Sequence, residues 1–89
     1  MLYAIICQDK PGALQIRLDN RAAHLAYIEK TGVVQLAGPF IEDGQMTGSL
    51  VLIEADSLAE AQSWAANDPY KAADLFESVR VTEWKKVVG

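Results

Sequence analysis

Eighty-nine residues, half of them apolar, suffice for one modest hydrophobic core but not for separate catalytic and regulatory units, and the composition is globular rather than disordered. The net charge of -4 comes from acids scattered among bases; without a basic stripe to neutralise phosphates, nucleic acid is not an expected partner. No apolar run approaches bilayer-spanning length and Met1 leads straight into a strand-like run, so a cytoplasmic chain with no leader and no membrane partner is expected.

Leu2 to Cys7 is a continuous apolar run closed by Asp9-Lys10-Pro11-Gly12, which predicts a buried strand and a turn. Cys7 is the only cysteine, so no intrachain disulfide can form and an inert, buried thiol is expected. From Leu14 to Lys30 the spacing becomes helical, with Leu14, Leu18, Leu25 and Ile28 three, four or seven residues apart. Asp19-Asn20 can divide this stretch into a short turn and a main helix, because either side chain can cap the segment that follows. Gly32 suits the left-handed position that ends it.

Val33 to Ile41 and Met46 to Glu54 are strand-like runs joined by Glu42-Asp43-Gly44-Gln45, and Asp-Gly between apolar runs predicts a hairpin. Ser57 with Glu60 three residues on forms a capping box for a second helix carrying Leu58, Ala61 and Ala65. Asp68-Pro69 opens a short helical turn through Leu75, and Val79 and Val81 mark a last strand.

The order βαββαβ predicts a ferredoxin-like α+β sandwich with an antiparallel sheet, both helices on one face, and the whole of residues 1–89 in one domain. The strands are apolar on both faces, however: Leu2, Ala4 and Ile6 alternate with Tyr3, Ile5 and Cys7, and Leu50 and Leu52 with Val51 and Ile53. Two helices cover one face only, so a homodimer through the other, in a barrel-like assembly of two sheets, is expected.

His24 is the only histidine, and Asp68 lies more than forty residues away. An imidazole backed by a carboxylate can serve as general acid and base near neutral pH; His24 could equally be a half-buried helix residue satisfied by a carbonyl. Asp68 before Pro69 fits a helix cap with proline at the first helical position, which leaves a carboxylate oxygen for an imidazole. Arg21, three residues before His24, shares its side of the helix and can fork onto a carboxylate or enolate. Ser49 invites a triad, but no nucleophile elbow surrounds it, and a hydrogen-bonding strand serine is the simpler reading. The backbone of Gly38-Pro39 and the ring of Tyr70 can line a pocket, while Trp64 and Trp84 suit core or dimer contacts. With one His, one Cys and no clustered carboxylates, no metal site is expected, and without a phosphate-cradling glycine loop no nucleotide cofactor.

The pieces Met1-Leu2-Tyr3, Gln8-Asp9-Lys10, Arg21-Ala22-Ala23-His24-Leu25, Ala37-Gly38-Pro39, Thr47-Gly48-Ser49 and Ala66-Asn67-Asp68-Pro69-Tyr70, in that order, resemble the YCII-related domain family. That resemblance implies a small cytoplasmic, dimeric, ferredoxin-like protein in which His24 and Asp68 form the site and Arg21 and Ser49 adjoin it. Relatives include an enzyme that removes chloride from a chlorinated hydroxyquinol, and the fold is similar to that of muconolactone isomerase. Longer members carry an extended loop where this chain has only the short turn 41–45. The resulting expectation is a cofactor-independent enzyme performing isomerisation or elimination on an anionic or phenolic small molecule; the alternative is a non-catalytic domain that binds a small ligand or a protein partner.

Overall fold

A computed structural model describes residues 1–89. Strand β1 (Leu2–Asp9) is followed by helix α1 (Leu14–Thr31), the hairpin β2 (Val34–Glu42) and β3 (Gln45–Glu54), helices α2 (Leu58–Ala66) and α3 (Pro69–Ala72), and strand β4 (Phe76–Trp84). The antiparallel sheet has the order β2-β3-β1-β4, so the two strands that each follow a helix directly are its edges. This is the expected ferredoxin-like α+β fold.

Local chemistry explains the boundaries. Asp43 and Gly44, with φ of 51° and 77°, form the two-residue turn of the β2–β3 hairpin, where both positions must be left-handed. Gly32, with φ of 67°, ends α1 and donates its N–H to Ile28. Ser57 Oγ accepts from Glu60 N at the start of α2, and Glu60 reaches back to Asp56 N. Gly48 adjoins a bulge in its own strand, where Thr47 is the extra residue between the pairs Phe40–Gly48 and Ile41–Met46, and it lies so close to the Cys7 carbonyl that a Cβ there would overlap the oxygen.

The expected break at Asp19-Asn20 does not occur. Helix α1 is continuous through both residues, because Asp19 accepts from Gln15 and Asn20 Nδ2 donates to Ile16 O, each one turn back. The expected apolar stripe of α1 is also not its buried face: Leu18 and Leu25 are about half exposed, while Arg17 and His24 are buried.

The sheet's two faces have the expected character. Tyr3, Ile5, Cys7, Val51 and Ile53 point beneath the helices and form the core with Ala61, Trp64 and Leu75. Trp64 is tied to α1 through Nε1, which donates to Thr31 Oγ1 at 3.0 Å, while Tyr27 OH donates to Trp64 O at 2.8 Å. On the opposite face Leu36, Phe40, Leu50 and Trp84 are 64, 41, 38 and 42 % exposed, and the register sets Leu36 beside Leu52 and Trp84 beside Leu2. No helix is long and apolar enough to cross a membrane.

Candidate functional site

One side of α1 presents Arg17, Arg21, His24 and Ile28 at intervals of four, three and four residues, so they lie along one stripe of the helix. That stripe faces the β2–β3 hairpin across a cavity of about 150 Å³. Gly38 and Pro39 of β2 and Ser49 and Val51 of β3 form its sheet wall, and Tyr70 of α3 closes it. The structure thus brings His24, Arg21, Ser49, Tyr70, Gly38 and Pro39 to a single pocket, with Asp68 directly behind His24.

Asp68 is the N-cap of α3 and is buried; Pro69 supplies the first helical position, where a missing N–H costs nothing. Its Oδ1 accepts from Tyr70 N at 2.9 Å and meets His24 Nδ1 at 2.9 Å. Capping and pairing therefore fall on the same oxygen, not on one oxygen each. An ionised carboxylate only accepts, so the hydrogen of this contact belongs to Nδ1. Nε2 has no protein partner and opens onto the pocket. The His24 ring is stacked on Tyr70 at 4.1 Å between centroids and 17° between planes, which fixes its orientation from a second direction.

A second buried carboxylate was not singled out from the sequence. Asp9 accepts from Arg17 Nε at 2.7 Å and from Nη2 at 2.8 Å, a bidentate pair buried on both sides. Burial opposes the charge on Arg17, and the hydrogen bonds and negative charge of Asp9 outweigh it, so the guanidinium is held more firmly protonated than usual. Its Cζ lies 4.8 Å from the centre of the Tyr70 ring. Burial, with the charge of Asp68 adding to it, raises the Tyr70 phenol against the opposing pull of Arg17, so Tyr70 remains a neutral wall. Two signals for this pair are present in the sequence: Arg17 stands four residues before Arg21, and Asp9 continues the inward parity of Tyr3, Ile5 and Cys7.

Arg21 makes no ion pair within the chain and is exposed at the pocket's rim. Beneath the pocket, burial pushes the Cys7 thiol up to about 12, which keeps it protonated. No three His, Cys, Asp or Glu side chains come together as a metal cluster. The arrangement is one free imidazole nitrogen, backed by a carboxylate, beside one unpaired guanidinium.

The sequence matches the YCII-related domain over residues 1–85. It is 42 % identical to protein YciI of Escherichia coli O6:H1, over 98 % of this chain and 99 % of that protein, and 37 % identical over the same shares to an uncharacterized protein of Haemophilus influenzae. Among solved structures it is similar to the 5-chloro-2-hydroxyhydroquinone dehydrochlorinase TftG of Burkholderia phenoliruptrix AC1100, in complex with 2,5-dihydroxybenzoquinone. Identity there is 43 %, the TM-score is 0.86, and 96 % of this chain and 94 % of that one are covered.

Proposed function

The chain belongs to the YCII-related domain family, and on that premise we propose that it is a cofactor-independent enzyme, an isomerase or dehydrochlorinase-type lyase, acting by proton transfer on a small anionic or phenolic molecule. The observation that carries this reading is the His24–Asp68 contact, which commits Nδ1 to a carboxylate and leaves Nε2 as the free base in the pocket. Nε2 would take a proton from a hydroxyl or an acidic C–H, Asp68 would stabilise the imidazolium, and Arg21 would hold the developing enolate or phenolate. In isomerisation the same nitrogen returns the proton to another atom of the substrate. In elimination an anion such as chloride leaves, and the proton passes from His24 to solvent. The likeness to TftG, a dehydrochlorinase solved in complex with a quinone, supports the second form.

The direct test offers 5-chloro-2-hydroxyhydroquinone to the wild type and to His24→Gln and follows released chloride. Wild-type turnover is expected, with a loss of about 10²–10⁴-fold in the variant. Equal rates in the two proteins would remove His24 from the chemistry. A wild type that binds 2,5-dihydroxybenzoquinone but releases no chloride would make the chain a ligand-binding domain.

We propose further that the chain is cytoplasmic and forms a homodimer through the exposed sheet face. Leu36, Phe40, Leu50 and Trp84 lie exposed on the sheet face that no helix covers, and an apolar face of this kind commonly marks an interface. Sedimentation should give twice the chain mass for the wild type and the single mass for Leu50→Glu, whose charge would be buried against the partner. A wild type that sediments as a monomer would overturn the assignment.

A further inference from the structure

Two backbone bulges open onto a second cavity, of about 240 Å³, at the end of the sheet beside the start of α1. Thr47 is the extra residue in β3, and Glu77 is the extra residue in β4, between the pairs Gln8–Ser78 and Asp9–Phe76. Both line this cavity. A bulge interrupts the ladder and re-aims its side chain, so two that meet at one space mark a built feature of the fold. The bulge in β3 also decides where Met46 points. Ser49, Val51 and Ile53 face the helices, and strict alternation would turn Thr47 inward and Met46 outward. The inserted residue instead sets Met46 beside Ile41 on the inner side, where it lines both this cavity and the pocket of His24. The two spaces are thus neighbours, divided by one unbranched, flexible side chain and by the Asp9–Arg17 pair, whose carboxylate lines the second cavity and whose guanidinium lines the first.

We propose that the cavity at the sheet end is the outer compartment of the same site, receiving a short cationic arm carried by the phenolic or enolic ring beside His24. This rests on the acid/base reading of His24 and extends its ligand from a ring to a ring with a substituent. The inner pocket of about 150 Å³ is filled by one benzene-sized ring, so a larger ligand continues past Met46, whose three rotatable bonds let it give way. The charges around the outer cavity select the arm. Asp9 is neutralised by Arg17 and Lys10 by Asp74, whereas Glu42 and Glu77 have no ion-pair partner in the chain. The uncompensated charge is negative there and positive at Arg21, on the rim of the inner pocket. An ammonium arm is attracted to the outer compartment and a carboxylate arm is repelled. The two ends together favour an aminoalkylphenol, with its oxygen toward Arg21 and its nitrogen toward Glu42 and Glu77.

The test is titration calorimetry with tyramine, 4-ethylphenol and 3-(4-hydroxyphenyl)propionate, which share the phenol and differ in how the arm ends. The wild type should bind tyramine about tenfold or more tighter than 4-ethylphenol, and the propionate most weakly. 2,5-Dihydroxybenzoquinone should displace tyramine, since both place a ring beside His24. Glu42→Gln combined with Glu77→Gln, at two exposed positions, should bring tyramine to the level of 4-ethylphenol and leave 4-ethylphenol unchanged. Equal binding of tyramine and 4-ethylphenol by the wild type would overturn the inference, as would a tyramine advantage that survives in the double variant. A propionate bound as tightly as tyramine would overturn the choice of a cationic arm. Tyramine and the quinone bound at the same time would overturn the shared site by showing two independent ones. In each case the chloride assay with His24→Gln judges the acid/base reading separately, and its failure beside the expected tyramine results would support a two-compartment binding site without that chemistry.

Discussion

Asp9→Asn is expected to destabilise the fold by about 3–5 kcal/mol, lowering the thermal midpoint by roughly 15–30 °C for a domain of this length. Asparagine keeps the shape and one acceptor but removes the charge facing a guanidinium whose side chain is only 4 % exposed. The cost arises from Arg17, which stays buried and is no longer neutralised. Replacing the pair together, Asp9→Leu with Arg17→Met, should by the same argument leave stability within about 2 kcal/mol of the wild type, because desolvating two ions consumes most of their attraction. Thermal unfolding of the single and double variants separates the two statements. A wild-type midpoint in Asp9→Asn would mean that water reaches the guanidinium and that the pair does not organise the pocket.

If the double variant is indeed near neutral, stability does not account for a buried ion pair at this place. Its position suggests what does: Arg17 lies against Tyr70, Tyr70 stacks on His24, and His24 meets Asp68. A carboxylate-backed guanidinium and a carboxylate-backed imidazole thus hold one aromatic ring against α1, and that ring sets the angle of the only imidazole. Binding of 2,5-dihydroxybenzoquinone by the double variant, compared at equal stability, would therefore report on the organisation of the pocket alone.

How much of this was legible in the sequence depends on the range of each interaction. The hairpin at Asp43-Gly44, the αL cap at Gly32 and the capping box at Ser57 are decided by neighbouring residues, and the structure agrees with each. The strand faces follow from a period of two, which also marked the apolar outer face. Helix α1 was harder, because its buried stripe is polar. Leu18 and Leu25 point away from the core, whereas Arg17 and His24 are buried by partners eight and forty-four residues distant. Hydrophobic periodicity cannot register a charged residue that is buried only because a carboxylate meets it. Asp19-Asn20 failed as a break for the opposite reason: the helix itself satisfies both side chains locally, and neither needs to act as a cap. The Asp68-Pro69 cap was readable, but the second use of the same oxygen depended on where α1 comes to rest.

That double use makes Asp68→Asn an informative substitution, with an expected loss of turnover of about 10²-fold or more and little change in stability. Asparagine is as good an N-cap as aspartate. Its Oδ1 can still accept from Tyr70 N and from His24 Nδ1, so the turn, the ring orientation and the free Nε2 survive. What disappears is the negative charge 2.9 Å from the ring, which matters only when His24 carries the substrate's proton. The variant should therefore bind a quinone ligand about as well as the wild type while releasing chloride far more slowly, which is the pattern of an interaction realised in the transition state. Asp68→Ala removes cap and charge together and should additionally lose about 1 kcal/mol of stability. If Asp68→Asn turns over at the wild-type rate and only Asp68→Ala is impaired, Asp68 acts through α3 alone, and the proton chemistry of His24 proceeds without a charged partner.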